Sequence, residues 1–167
     1  KSATKKNCAN YGIRTPFHLL FRAPADISNM STKIFNSLSL PVVFKPLASG
    51  SSFGVYIAKS FHEIADTLTK SLRISDAVIV EEFISGREAT CGVVDSFRDH
   101  DRYALMPVEI IPDNDFFDYE AKYKGKSKEI CPGNFSEDQR EKIREMAIAA
   151  HNMLGLRHYS RSDFMIH

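Results

Sequence analysis

The chain of 167 residues is 43% hydrophobic and almost neutral, with 22 lysines and arginines against 21 aspartates and glutamates. A chain of this length and apolar content can bury a core, either as one domain or as two small lobes. Its balanced charge gives no electrostatic argument for nucleic acid as a partner. No apolar run is long enough to cross a bilayer, and the polar start KSATKKN is not typical of a signal peptide.

The first half of the chain alternates predicted helices and strands. In chain order we predict a helix over 4–11 ended by Gly12, an extended segment over 13–21, a helix over 28–38, strands over 41–45 and 54–58, a helix after Ser60 and a strand over 77–82. Ser60 and Glu63 have the spacing of a capping box, which would begin the third of these helices.

The second half is predicted to be mostly antiparallel sheet with one long helix. Strands over 88–95 and 103–111 are joined by the polar segment SFRDHDR, and a long loop with charged and aromatic residues covers 112–134. Ser136 and Gln139 predict a second capping box, opening a helix that ends at Gly155. A last strand is predicted over 162–166.

These elements indicate an α+β fold of two lobes with mostly antiparallel sheets. The predicted lobes are 1–82 and 83–167, hinged near 82–86. A crevice between two lobes is a common place for a nucleotide. The chain starts at Lys1 without a methionine and stops at His167 within a predicted strand, so we expect it to be part of a longer protein.

The cysteines and histidines form no metal-binding pattern. The three cysteines, Cys8, Cys91 and Cys131, include no C-x-x-C pair, and without a secretory signal they are predicted to be reduced thiols of a cytoplasmic protein. The six histidines are scattered, and a satisfied or solvated histidine is favoured over a zinc ligand by roughly ten to one.

The run PVVFKPLASGSSFGV, at 41–55, is the most informative stretch of the chain. Lys45 ends an apolar strand, and a loop containing Ser51 and Ser52 follows it. Glycine allows close backbone approach and serine adds donors, which suits a flap over a phosphate chain. The alternative, a lysine that snorkels at a strand end, is disfavoured by about three to one. The loop lacks the helix-opening lysine of a P-loop.

Three glutamates, Glu81, Glu82 and Glu88, cluster just after the apolar stretch 77–80 of the predicted strand. Glu81 and Glu82 are adjacent, so only one of them can face the core, and Glu82 is expected to be exposed. The backbone from Glu82 to Ile84 could contact an adenine edge, and Glu88 is the better candidate for holding ribose hydroxyls.

Two later segments carry further candidate residues. Lys122 and Tyr123 lie in the block FDYEAKY within the long loop, where a lid lysine could neutralise a terminal phosphate. A solvated lysine keeps about a third of the weight. Arg161 and Asp163 lie two apart on the last strand and so share a face, which suits a magnesium ligand beside an oxyanion-stabilising arginine. An ion pair between Arg161 and Asp163 on the protein surface, without a functional role, is about equally favoured on these residues alone.

Together the motifs KPLASGSSFGV, VEEFISGREAT, FDYEAKY followed by ICPGNF, and YSRSDFMI resemble the D-alanine–D-alanine ligases of the ATP-grasp superfamily, in order and over nearly the whole chain. The opening KSATKK resembles a family segment that precedes the grasp fold. The resemblance implies nucleotide contacts by one set of residues, catalytic roles for a second set and magnesium binding by Asp163. The nucleotide set is Lys1, Lys45, Ser52, Glu81, Glu82, Phe83, Ile84 and Glu88, and the catalytic set is Ser51, Lys122, Tyr123 and Arg161.

The resemblance also implies a reaction. One D-alanine carboxylate would attack the γ-phosphate of ATP to give an acyl phosphate and ADP, and the amine of a second D-alanine would then displace phosphate. Mg²⁺ would be a cofactor, and the dipeptide would be used in peptidoglycan precursor synthesis. Positioning, charge neutralisation and water exclusion would supply the catalysis. Because the family's other metal ligands and amino-terminal domain are not in this sequence, the isolated chain is expected to have little or no ligase activity. The family also suggests a homodimeric cytoplasmic parent.

Three other interpretations stay open. The chain could belong to another ATP-grasp carboxylate–amine ligase with a different acceptor, or to a non-catalytic nucleotide-binding module. A structural α+β segment with no retained site is the least favoured, because lysines and carboxylates cluster at the ends of the predicted elements.

Overall fold

The structure is a computed structural model and describes residues 2–24, 26–47, 53–112 and 127–167. Contacts within the chain divide it into two compact units. Among the described residues, one unit is built from 16–84, and the other from 3–15, 85–112 and 127–167. The predicted lobes, 1–82 and 83–167, stay a prediction.

Four helices and nine strands lie within the described residues. The helices are α1 (Ser2–Asn10), α2 (Ile27–Ser37), α3 (Phe61–Ile74) and α4 (Glu137–Met153). The strands are β1 (His18–Arg22), β2 (Val42–Pro46), β3 (Tyr56–Ala58), β4 (Ala77–Glu82), β5 (Arg87–Phe97), β6 (His100–Ala104), β7 (Val108–Ile111), β8 (Lys128–Ile130) and β9 (Tyr159–Ile166). None of the helices in this part of the chain is long and apolar enough to span a membrane.

The first unit is an antiparallel sheet, in the order β1-β4-β2-β3, with α2 and α3 packed on it. Side chains alternate along β2, so Val42 and Phe44 face the helices and meet Ile34, Ile64 and Leu68, all completely buried. Burying a leucine or phenylalanine side chain in this way stabilises the fold by about 1.5–3 kcal/mol. The same alternation directs Val43 and Lys45 to the other face of the sheet.

The second unit is also an antiparallel sheet, in the order β6-β5-β7-β8, and β9 pairs with β5 as well. Helix α4 packs its apolar side, including Ile143 and Ala147, against Cys91 and Val93 of β5. The predicted capping box at the start of α4 is confirmed, because the Gln139 N–H donates to Ser136 Oγ (3.2 Å) and the Ser136 N–H donates to Gln139 Oε1 (3.0 Å).

The predicted capping box at the start of α3 is wrong. The Ser60 hydroxyl makes no hydrogen bond to the helix backbone and donates instead to Glu63 Oε1 at 3.0 Å. The Lys59 N–H donates to Glu63 Oε2 at 2.8 Å. The carboxylate of Glu63 therefore uses the hydroxyl as a donor, and the hydrogen bonds from Lys59 and Ser60 hold its pKa below the ordinary value.

Several predicted boundaries also need correction. The expected strand over 103–111 is two strands, β6 and β7, because 105–107 do not continue the pairing with β5. The expected loop over 112–134 contains β8, which pairs with the edge of β7. Strand β3 begins at Tyr56 rather than at Gly54, whose φ of +72° is not extended. Strand β9 begins at Tyr159, three residues before the predicted start at Ser162.

Candidate functional site

Lys45 is held by an ion pair on the face of the sheet away from α2 and α3. Strand pairing places Val43 opposite Glu81 and Lys45 opposite Ile79, so Lys45 and Glu81 are diagonal neighbours on one face. Lys45 Nζ lies 2.6 Å from Glu81 Oε2. The Glu81 side chain is 4% exposed, whereas that of Lys45 is 35% exposed, so the carboxylate is buried and the lysine side chain is partly open to solvent.

Within the segment 82–84, at the end of β4, the described residues leave the amide of Ile84 available for a ligand. The N–H of Glu82 donates to the Phe17 carbonyl and that of Phe83 donates to the Pro41 carbonyl. The N–H of Ile84 donates to no acceptor among the residues that the structure describes. Of the segment predicted to contact adenine, Ile84 therefore offers the amide that a planar base edge could use.

Glu82 is half-buried rather than exposed. Its Oε1 accepts the N–H of Phe17 at 2.7 Å, which ties the beginning of β1 to the end of β4. The expectation that Glu82 is the solvent-facing member of the adjacent pair therefore holds only in part, because Glu81 is buried and Glu82 has a structural contact of its own. Its assignment to nucleotide binding stays a prediction.

Glu88 lies on β5 of the second unit. It pairs with Ile110 of β7 on one side and with Met165 of β9 on the other. The side chain is half-buried, and its Oε2 atom is shielded from solvent. A carboxylate fixed on a central strand is suited to accept two adjacent hydroxyls, but this role for Glu88 stays a prediction.

Arg161 and Asp163 do share a face of the last strand, and they contact each other. Arg161 Nε lies 3.3 Å from Asp163 Oδ1, and both side chains are more than half exposed. Thr90 is directly opposite Asp163 on β5, and its hydroxyl donates to the same Oδ1 at 2.8 Å. Thr90 was not among the residues predicted from the sequence, although it ends the motif VEEFISGREAT, two residues after Glu88.

The remaining predicted site residues lie outside the described part of the chain. They are Lys1, Ser51, Ser52, Lys122 and Tyr123.

The described residues do not form a magnesium site on their own. No group of three histidine, cysteine, aspartate or glutamate side chains within 2–24, 26–47, 53–112 and 127–167 could hold a metal ion. Asp163 is one carboxylate, two of whose neighbours already contact Oδ1, and Mg²⁺ requires near-octahedral oxygen coordination. Asp163 as a metal ligand therefore stays a prediction.

An ion pair between exposed Arg87 and buried Glu109, which the sequence did not reveal, secures the end of the segment 112–134. Arg87 donates to Glu109 Oε1 through Nε (2.8 Å) and Nη2 (2.6 Å), and Nη2 also lies 2.7 Å from the Asn134 carbonyl. The Asn134 N–H donates to Glu109 Oε2 at 3.0 Å, and the guanidinium covers the ring of Phe135. Burial alone would raise the pKa of Glu109, but the hydrogen bonds and charge of Arg87, with the Asn134 N–H, outweigh it and lower the pKa.

Comparison with known proteins identifies relatives of this fold and of these motifs. Residues 8–167 match the family described as D-ala D-ala ligase C-terminus. The chain is 36% identical over 157 residues to a D-alanine–D-alanine ligase of Phocaeicola vulgatus, covering 93% of the chain and 47% of that protein. It is 42% identical over 139 residues to the enzyme of the same name from Desulfotalea psychrophila, covering 81% of the chain and 42% of that protein.

Solved structures give the same result. The VanG D-Ala:D-Ser ligase of Enterococcus faecalis superposes with a TM-score of 0.85 at 29% identity, covering 99% of this chain and 47% of that one. The D-alanine–D-alanine ligase of Bacillus anthracis superposes with a TM-score of 0.78 at 25% identity, covering 100% of this chain and 52% of that one.

The two antiparallel α+β units and their superposition on solved ligase structures place the chain in the ATP-grasp class of folds. Within that class, the chain belongs to the D-alanine–D-alanine ligase family, which it matches through the family's carboxy-terminal region. The predicted fold class and family are therefore confirmed. The chain spans about half the length of the curated relatives that it matches.

Proposed function

We propose that this chain is the nucleotide-binding part of an ATP-dependent ligase that joins two D-alanines for peptidoglycan precursor synthesis. The observation that carries the proposal is the family match over residues 8–167. Relatives at 36–42% identity, named D-alanine–D-alanine ligase, support it.

The first unit would bind the nucleotide. Lys45 is oriented by its ion pair with Glu81, and more than a third of its side chain is exposed. Because the side chain is already ordered, little further rotamer entropy would be lost when its ammonium contacts the phosphates of ATP. The N–H of Ile84 would contact the adenine edge, with Glu81, Glu82 and Phe83 shaping the segment around it. Lys1 and Ser52 would add phosphate contacts.

The second unit would contact the ribose and the reacting groups. Glu88 would accept the ribose hydroxyls, and Arg161 would stabilise the negative charge that develops on the carboxyl oxygen when the amine attacks. Ser51 would lie on the substrate side of the flap, Lys122 would contact the terminal phosphate, and Tyr123 would help to hold the loop that carries Lys122 closed. ATP supplies the activating phosphoryl group, and Mg²⁺ is the expected counter-ion of its phosphates.

The partners and compartment follow the same proposal. ATP and D-alanine are the expected small-molecule partners, with no role for nucleic acid or a membrane. The complete protein is expected to be a cytoplasmic homodimer.

A second candidate differs in the acceptor. The VanG structure, a D-Ala:D-Ser ligase, superposes on 99% of this chain with a TM-score of 0.85, so an acceptor other than D-alanine is compatible with this fold. The described residues that carry the proposed chemistry act on the nucleotide and on the acyl group. They do not choose between an acceptor methyl and an acceptor hydroxymethyl group.

The test is a calorimetric titration of the complete gene product with Mg²⁺–ATP, followed by turnover assays with D-alanine and D-serine. Lys45→Ala and Glu88→Ala should each weaken ATP binding by about tenfold or more, because each removes a hydrogen bond to a charged group. Lys33→Ala, at an exposed lysine of α2, is the matched control and should bind ATP normally. Normal ATP affinity in both test variants, or no product from either amino acid, would overturn the proposal.

A further inference from the structure

A polar network around one buried histidine joins α4, β5 and β9 in the second unit. His151, in the last turn of α4, is completely buried. Its Nδ1 lies 2.8 Å from Ser160 Oγ on β9, and its Nε2 lies 3.1 Å from Asp95 Oδ1 on β5. The network is unexpected at this place, because Ile143 and Ala147 on the same side of α4 make apolar contacts with the sheet.

The hydrogen-bonding capacity of the three groups favours one tautomer of the His151 ring. An ionised carboxylate only accepts, and Asp95 Oδ2 already accepts the N–H of His158 at 2.7 Å. The tautomer with hydrogen on Nε2, the nitrogen that faces Asp95, leaves Nδ1 to accept the hydroxyl hydrogen of Ser160. The contact between Nε2 and Oδ1 is close but lacks the alignment of a good hydrogen bond.

The imperfect alignment argues against stability as the main role of this network. A well-packed apolar side chain at position 151 would continue the apolar side of α4, and replacing buried polar groups by apolar ones is often neutral or stabilising. Buried polar groups are more useful for fixing one arrangement out of several. The part of the chain that all three groups contact or belong to is the beginning of β9, so its position is what the network would fix.

The network holds β9 at two successive points. Asp95 exchanges two hydrogen bonds with His158, through its own N–H to the His158 carbonyl (2.9 Å) and through Oδ2 to the His158 N–H. Two residues later, Ser160 is held by His151. Arg161 follows immediately, and since side chains alternate along a strand, it is directed to the opposite face together with Asp163.

We propose that Ser160, His151 and Asp95 form a positioning network that fixes the first residues of β9 and thereby the direction in which the Arg161 side chain leaves the strand. The three side chains touch no substrate and act through Arg161. The inference rests on the proposed ligase function, since it is there that the position of Arg161 matters. Misplacing a reacting group by about 1 Å can reduce the rate by about a hundredfold.

Deleting the Ser160 hydroxyl tests the proposal with little change in volume. In the complete gene product, Ser160→Ala should lower kcat for dipeptide synthesis by about tenfold or more and leave KM for ATP within about twofold, because the proposed phosphate and adenine contacts are made elsewhere. Ser160→Thr, which keeps the hydroxyl on a β-branched side chain suited to a strand, should recover most of the lost kcat.

The matched control is Ser162→Ala. Ser162 is half-buried on the same face of the same strand, and its hydroxyl makes no hydrogen bond within the described residues. This variant should keep kcat within about twofold. Equal loss in Ser160→Ala and Ser162→Ala, or no recovery in Ser160→Thr, would overturn the positioning role.

A second measurement does not depend on activity. In protein carrying nitrogen-15 histidine, His151 should show a hydrogen on Nε2 and a hydrogen-bonded Nδ1, and Ser160→Ala should change the Nδ1 signal. Amide exchange over 159–163 should rise in Ser160→Ala and stay unchanged in Ser162→Ala. If the protein makes no dipeptide from any D-amino acid, the ligase proposal fails, and these signals alone decide: unchanged exchange in Ser160→Ala overturns the positioning network.

Discussion

Replacing Glu109 by glutamine should destabilise the second unit at neutral pH and much less in acid. Glu109 is 6% exposed and accepts three hydrogen bonds, two from Arg87 and one from the Asn134 N–H. Hydrogen bonds to a charged group are worth about 1.5–3 kcal/mol each, but glutamine keeps one acceptor oxygen. The Arg87 side chain is 43% exposed and can be rehydrated, so we expect a loss of only about 2 kcal/mol.

The loss depends on pH in a defined direction. The pKa of Glu109 is lower in the folded protein than in the unfolded chain, where it is about 4.3. Its contribution to the free energy of unfolding is therefore fully present above the unfolded pKa and disappears as the pH falls through the folded pKa. Glutamine cannot ionise, so the difference between wild type and Glu109→Gln should be largest near neutral pH.

The assay is thermal unfolding followed by circular dichroism or calorimetry at about pH 7 and about pH 3. For a protein of this size 2 kcal/mol corresponds to a fall in Tm of about 4–8 °C, which should shrink in acid. Glu129→Gln on β8 is the matched control, because Glu129 is exposed in the same sheet, and its effect on the free energy of unfolding should be within about 0.5 kcal/mol. An equal fall in Tm at both pH values would refute the ionic explanation.

Three further predictions test local features. His158→Gly should raise the free energy of unfolding by about 1 kcal/mol in urea titrations, because His158 has a φ of +67° that glycine adopts without strain; an unchanged or lower value would contradict this. Iodoacetamide followed by mass spectrometry should label exposed Cys131 and not Cys91 in the native protein, since burial raises the pKa of the Cys91 thiol to about 11, and rapid labelling of Cys91 would show the environment to be wrong. Gly86→Ala should lower the free energy of unfolding by about 1–3 kcal/mol, because its Cβ would collide with the Ile166 carbonyl oxygen, and wild-type stability would mean that the backbone yields there.

Sequence patterns predicted the elements whose signals are local. Helix α4 was predicted from a capping box and apolar spacing, both of which act within a few residues, and the structure has both. Ser60 and Glu63 have the same spacing, yet the Lys59 N–H binds Glu63 and the Ser60 hydroxyl donates to it. Spacing shows which groups can meet but not whether the hydroxyl will donate or accept.

In the candidate site, too, features that depend on neighbouring residues could be predicted, and features that depend on distant ones could not. That Arg161 and Asp163 share a face followed from strand alternation alone. The partners of Lys45 and Asp163 did not, because Glu81 and Thr90 are 36 and 73 residues away along the chain and meet them only through the pairing of strands. Register between distant strands is set by the whole core, and no short motif encodes it.

The long pairing of β9 with β5 restricts insertions and deletions within the part of the gene that encodes β9. Eight residue pairs, from Arg87 with Ile166 to Val94 with Tyr159, bind the two strands. Inserting or deleting a single codon within β9 would turn Arg161 and Asp163 towards the helix and bring Ser160 or Ser162 to the open face. The exposed turn at 98–99 between β5 and β6 carries no such constraint. Among descendants of this gene we therefore expect length variation to collect at 98–99 and to be absent from 159–166.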